Sequence, residues 1–131
     1  MILALDTSGD ITHFWLYSDA HARPLSQHSW KSGRTLADEL LRQLTGFMTE
    51  NTVEFADLTG IAVFSGPGSF TSLRIGHAVV NALADSLGIP VQGEQGEDWL
   101  QQALSSLQMA PPGLPALPHY GAEANISKPK T

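Results

Sequence analysis

Hydrophobic and polar positions change their period several times along the chain, and each change predicts an element. Ile2 to Leu5 is an unbroken apolar run, the pattern of a strand buried on both faces. The turn formers Ser8-Gly9-Asp10 divide it from a second strand-like run, Ile11-Thr-His-Phe-Trp-Leu-Tyr17, so the two predict a hairpin. A third extended piece, about Leu25 to Trp30, follows the turn signal at Ala22-Arg23-Pro24. From Thr35 to Glu50, Leu36, Leu40, Leu41, Leu44, Phe47 and Met48 recur at three- and four-residue steps, with Asp38, Glu39, Arg42 and Gln43 opposite them. That spacing predicts an amphipathic helix, with Gly46 as a place where it could end early.

Gly60 to Phe64 is again continuously apolar and predicts a buried strand, which leads into a glycine-rich segment. A second helix is expected from Ser69 to Leu87, stopped by Gly88 with Pro90 just beyond, and then a short strand at Val91. Asp98 to Leu107 carries Trp99, Leu100, Ala103, Leu104 and Leu107 at helical spacing. Met109 to Thr131 holds most of the eight prolines and little periodicity, so it reads as an irregular segment laid over the domain or left disordered. The expected organisation is one domain over 1–108 and a proline-rich segment over 109–131. Three antiparallel strands followed by alternating helices and strands make an α/β fold with a mixed five-stranded sheet and flanking helices, the ribonuclease H-like pattern.

Composition narrows the chemistry. Without a cysteine among its 131 residues, the chain forms no disulfide, thiolate metal site or cysteine nucleophile. The opening Met1 to Asp6 lacks a basic region and meets an aspartate after five residues, which excludes a signal peptide or membrane span there and leaves the cytoplasm as the expectation. A net charge of -6 argues against direct tRNA or other nucleic-acid binding, which needs basic patches to neutralise phosphates. His13, His21, His28, His77 and His119 contain no pair spaced for a metal site, and solvated or partner-contacting roles are expected of them.

Gly66-Pro-Gly-Ser-Phe-Thr-Ser-Leu-Arg-Ile-Gly76 packs a strand end, a turn and a helix start into eleven residues. Ser69 is placed to cap the helix, whose first amides could hold an anion. A phosphate-gripping P-loop, however, requires a lysine and a serine or threonine after its second glycine, and none follows Gly68; Pro67 also removes a donor. A structural turn is favoured. Asp6, Thr7 and Ser8 end the first strand, where such folds often hold magnesium, but turn chemistry accounts for them as well. Laid out at about 100° per residue, Leu73, Ile75, Gly76, Val79, Val80, Ala82, Leu83, Ala84 and Leu87 sweep an arc of roughly 200°, wider than one sheet contact requires. Arg74, His77, Asn81 and Asp85 take the narrow polar side.

These motifs carry a resemblance. Gly66, Pro67, Gly68, Ser69, Phe70, Thr71, Leu73, Arg74 and Gly76 match the hallmark segment of the TsaB (YeaZ) family, from which Ser72 is the one departure. Asp6, Thr7 and Ser8 resemble the turn after that family's first strand, and Gly88 to Val91 resembles its next strand entry. The likeness covers about the first hundred residues. It implies the actin and Hsp70-like ATPase superfamily fold and a shortened form lacking most of a second domain.

It further implies a non-catalytic scaffold in tRNA threonylcarbamoyladenosine biosynthesis. Such a subunit has no cofactor and no metal, pairs with the TsaD transferase with TsaE joining the assembly, and meets tRNA only through that complex. The family pairs through its first two helices, so the expected interface is Leu36, Leu40 and Leu44 with Leu73, Ile75, Val79, Ala82 and Leu83. Lys31-Ser32-Gly33-Arg34 departs from the family's usual entry into the first helix. The alternatives are a small nucleotide-binding or hydrolysing domain built on Asp6 to Ser8 and Gly66 to Ser69, and a homodimer formed through the same helices. A last expectation places Pro118 to Ile126 against the domain, covering apolar surface.

Overall fold

The computed structural model describes residues 1–119. Its five-stranded sheet has the order β3-β2-β1-β4-β5. The central strand β1 (Ile2–Asp6) pairs antiparallel with β2 (Ile11–Tyr17), bringing Leu5 opposite Phe14, and parallel with β4 (Gly60–Phe64), bringing Leu5 opposite Val63. Strand β3 (Pro24–Lys31) completes the antiparallel meander on one edge, and β5 (Val91–Glu94) runs parallel to β4 on the other. Parallel neighbours need crossovers, which helices supply here. Helix α1 (Leu36–Glu50) lies between β3 and β4 in sequence, α2 (Phe70–Leu87) links β4 to β5, and α3 (Trp99–Leu107) follows β5. This is the expected ribonuclease H-like α/β arrangement.

Side chains alternate across the pleat and build two cores. Leu3, Leu5, Phe14, Leu16, Ile61 and Val63 face one side, where they pack with Leu36, Leu40, Leu44, Phe47 and Met48 of α1 and Val80 and Ala84 of α2. Ile2, Ala4, Tyr17 and Ala62 face the other side and meet Trp99, Ala103, Leu104 and Leu107 of α3. Trp99 stands edge-on to Trp15 and Phe64, at ring separations of 5.8 Å and 5.5 Å.

The unusual entry into α1 is handled by hydrogen bonds. The N–H groups of Ser32 and Gly33 both donate to the Asp10 carbonyl, the Ser32 and Thr12 hydroxyls meet at 2.7 Å in a buried pair, and a short 3-10 turn over Gly33–Thr35 leads into the helix. Gly46 does not end α1, which continues to Glu50 because Phe47 and Met48 beyond it are anchored in the core. Leu41, expected on the apolar side, is 58% exposed, since the Leu36, Leu40, Leu44 and Phe47 stripe already fills the sheet-facing arc. A 3-10 turn at Phe55–Asp57, with no counterpart in the sequence reading, is closed by reciprocal bonds between Glu54 and Asp57.

Candidate functional site

The two sequence motifs lie far apart in the chain and fold against each other. Where β1 ends, Asp6 Oδ1 accepts the Ser8 N–H at 2.9 Å, forming the local turn expected of an aspartate there. The Thr7 hydroxyl is buried and donates to the Ser72 carbonyl at 2.8 Å, while the Ser69 N–H donates to the Ser8 carbonyl at 3.1 Å. Ser69 caps α2 by accepting the Ser72 N–H at 3.4 Å. The glycines make this approach possible. A Cβ at Gly76 would collide with the Thr7 side chain, and one at Gly68 would sit 2.6 Å from the Ser8 Cβ.

This geometry decides what the turn does with its donors. Of the loop that the alternative reading would have gripping a nucleotide, Ser69 gives its N–H to Ser8, Pro67 has none, and Asp6 is engaged by its own turn. The Gly66-Pro67 peptide bond is cis. Arg74 lies over the Phe70 ring at 5.4 Å, at the exposed start of α2. Among the described residues no three His, Asp or Glu side chains converge as a metal site would require.

One pairing escaped the sequence altogether. Ser65 and His77 are both buried, with Ser65 Oγ 2.8 Å from His77 Nε2, and His77 Nδ1 lies 2.8 Å from the Leu73 carbonyl. Burial pushes the His77 pKa down; the Leu73 carbonyl opposes that shift and the charge of His119 adds to it. The neutral ring therefore donates from Nδ1 to Leu73 and accepts the Ser65 hydroxyl at Nε2. A serine beside a histidine is the start of a nucleophile and base pair, but here the third partner is a helix carbonyl and the hydroxyl is shut away from solvent, so the pair ties α2 to β4. The placement of His77 on a solvated polar side is thus corrected: α2 turns it inward. Asn81, expected beside it, bonds the chain after α3 instead, with Nδ2 donating to the Ala116 carbonyl and Oδ1 accepting the Ala116 N–H, each at 2.9 Å.

The expected interface residues divide. Leu36, Leu40, Leu44 and Leu73 are at most 2% exposed and belong to the chain's own interior, because they occupy the stripes that α1 and α2 press onto the sheet. That assignment is corrected. Ile75, Val79 and Leu83 are half-buried, Ala82 is exposed, and the exposed Ala78 lies among them. Together they form a second apolar stripe on α2 at steps of three and four, beside the buried stripe of Leu73, Gly76, His77, Val80 and Ala84.

Comparison with known proteins gives this arrangement a family. A family model described as TsaD, tRNA N6-adenosine threonylcarbamoyltransferase, matches residues 31–111, more than half of the chain. The tRNA threonylcarbamoyladenosine biosynthesis protein TsaB of Buchnera aphidicola from Acyrthosiphon pisum is 29% identical over 91 residues, covering 70% of this chain and 40% of that protein. The Escherichia coli protein of the same name is 28% identical over 92 residues, covering 70% and 38%. The solved structure of YeaZ from Pseudomonas aeruginosa superposes with a TM-score of 0.65 at 34% identity, over 72% of this chain and 43% of that one. The chain belongs to the TsaB (YeaZ) family. It spans about two fifths of the length of these curated TsaB relatives. Within the TsaB-family fold, the hallmark segment is the turn and cap that seat α2 against the end of β1. Another solved structure, described as an uncharacterized protein with similarity to peptidase YEAZ, matches at 34% identity and a TM-score of 0.65. In the present chain the Ser65 and His77 geometry lends a peptidase reading no support.

Proposed function

We propose that this TsaB-family chain is a non-catalytic scaffold in cytoplasmic tRNA threonylcarbamoyladenosine biosynthesis, binding and stabilising a TsaD-type transferase through a helix–helix interface, with TsaE joining the assembly. The observation that carries the reading is the second apolar stripe of α2. An apolar arc wider than the sheet contact leaves Ile75, Ala78, Val79, Ala82 and Leu83 partly open to solvent, and two alanines on it would let another helix approach closely. The interface is thus moved from the buried leucines to this stripe. Contact with tRNA is left to the partner, in keeping with the chain's net charge of -6.

Co-purification of the chain with the TsaD of its own organism tests the proposal. Association is expected, and Ala82→Arg, on an exposed position, should weaken it by about ten-fold or more without loss of fold. Failure of two folded proteins to associate would sink the scaffold reading. A variant that binds as tightly as the native chain would move the interface elsewhere, and a mass of twice the chain's that Ala82→Arg returns to that of one chain would show that the stripe serves a homodimer.

A further inference from the structure

Beyond α3 the chain returns across the sheet end and is held there by its backbone. The Asn81 amide makes the two reciprocal bonds to Ala116 that a neighbouring strand would make, and the His119 N–H donates to the Ser65 carbonyl at 2.7 Å. Ala116 is buried in the larger core, whereas Leu114 and Leu117 on either side of it are 63% and 69% exposed. The groove suits a main chain and one small side chain. A Cβ at Gly93 would stand 3.3 Å from the Ala116 Cβ, and one at Gly66 would collide with the His119 carbonyl oxygen.

Ser65 is where these contacts meet. Its N–H donates to the Glu94 carbonyl of β5, its hydroxyl engages His77 of α2, and its carbonyl receives His119. Asn81 and His77 stand four residues apart on one side of α2, so the returning segment grips that helix at one position directly and at the other through Ser65.

We propose that residues 113–119 form a strap that occupies a main-chain-reading groove between α2 and the β4–β5 end of the sheet and pins α2 in place. The occupant is this chain's own segment, recognised through paired amide bonds and the small Ala116 side chain. The strap differs from a core element in being separable: only Ala116 of the described part is buried, so its release opens the groove and loosens α2 while the central strands stay folded. It does not depend on the identity of any partner.

Hydrogen exchange on the full chain, read at single amides, tests this. In the native chain the Ala116 and His119 amides should exchange at least ten-fold more slowly than in the unfolded chain. Asn81→Leu removes both amide bonds, and Ala116→Arg places a side chain that the groove cannot hold while leaving its walls intact. Both variants should abolish protection at 116 and 119 and speed exchange in α2 around residues 77–84 by ten-fold or more, with β1 and β4 still protected. Unprotected amides at 116 and 119 in the native chain would overturn the proposal, as would release of the strap with α2 unchanged. If Ala116→Arg also strips protection from β1 and β4, the segment is core and no strap exists.

Discussion

Thr7 and Gly76 show how one missing methyl holds two motifs together. The helix backbone at Gly76 lies against Thr7, which also donates to Ser72, so Gly76→Ala must push the α2 start away from β1 or distort it. Overpacking of this kind costs about 1–3 kcal/mol, and the urea midpoint should fall accordingly at unchanged slope. His77 gives a second expectation, in pH. Its pKa in the folded chain lies below the ordinary 6.5, so the unfolded chain binds a proton that the native state refuses. Its effect on stability is therefore flat well above pH 6.5, falls as pH drops through that value, and levels off once the folded-state pKa is passed. Urea midpoints measured between pH 8 and pH 5 should show this fall, and His77→Gln should flatten it. Neither the Ser65 and His77 pair nor the bonds between Asn81 and Ala116 could be read from spacing, because tertiary geometry decides whether residues twelve or thirty-five apart meet.

Among the elements, the two long helices separate burial from exposure most sharply. Leu44 is fully buried and Leu41 is 58% exposed, although both stand in the same apolar repeat. Leu44→Ala should cost about 2–5 kcal/mol, whereas Leu41→Ser should stay within about 0.5 kcal/mol of the native chain, both measured by chemical denaturation. Equal losses would mean that α1 buries a broader face than its leucine stripe. The strands and helices were legible in the chain to within a residue or two, since apolar runs, a glycine at the end of α2 and a serine cap act locally. The side of each helix that meets the sheet was less legible. An arc of apolar residues states how much surface wants cover, but which stripe receives it depends on where the neighbouring elements sit.

For the molecule as a whole, two cores share one sheet. Trp30 packs against the larger core, while Trp99 and Trp15 lie on the other side with α3. Because every central strand contributes to both faces, the two cores are expected to melt together. Unfolding followed by tryptophan fluorescence and by far-ultraviolet circular dichroism should give one common midpoint, and two midpoints would show that α3 and its core come away first. Among the described residues no helix is long and apolar enough to cross a membrane. Of the segment expected to dock from Pro118 to Ile126, residues 118 and 119 are described, and His119 bonds to Ser65; residues 120–126 lie outside the described part.

Local periodicity was enough to predict the order of elements and the class of fold, because each is written in neighbouring residues that fold by the same short-range rules, while the family entered through the resemblance carried by the Gly66 to Gly76 segment. Only the tertiary structure showed that this segment spends Ser69 N–H and its glycines on receiving the Asp6 to Ser8 turn, that four of the expected interface leucines are core, and that Asn81 and Ser65 hold the returning chain. Those facts depend on contacts between residues tens of positions apart, and such contacts exist only after the sheet has brought its strand ends together.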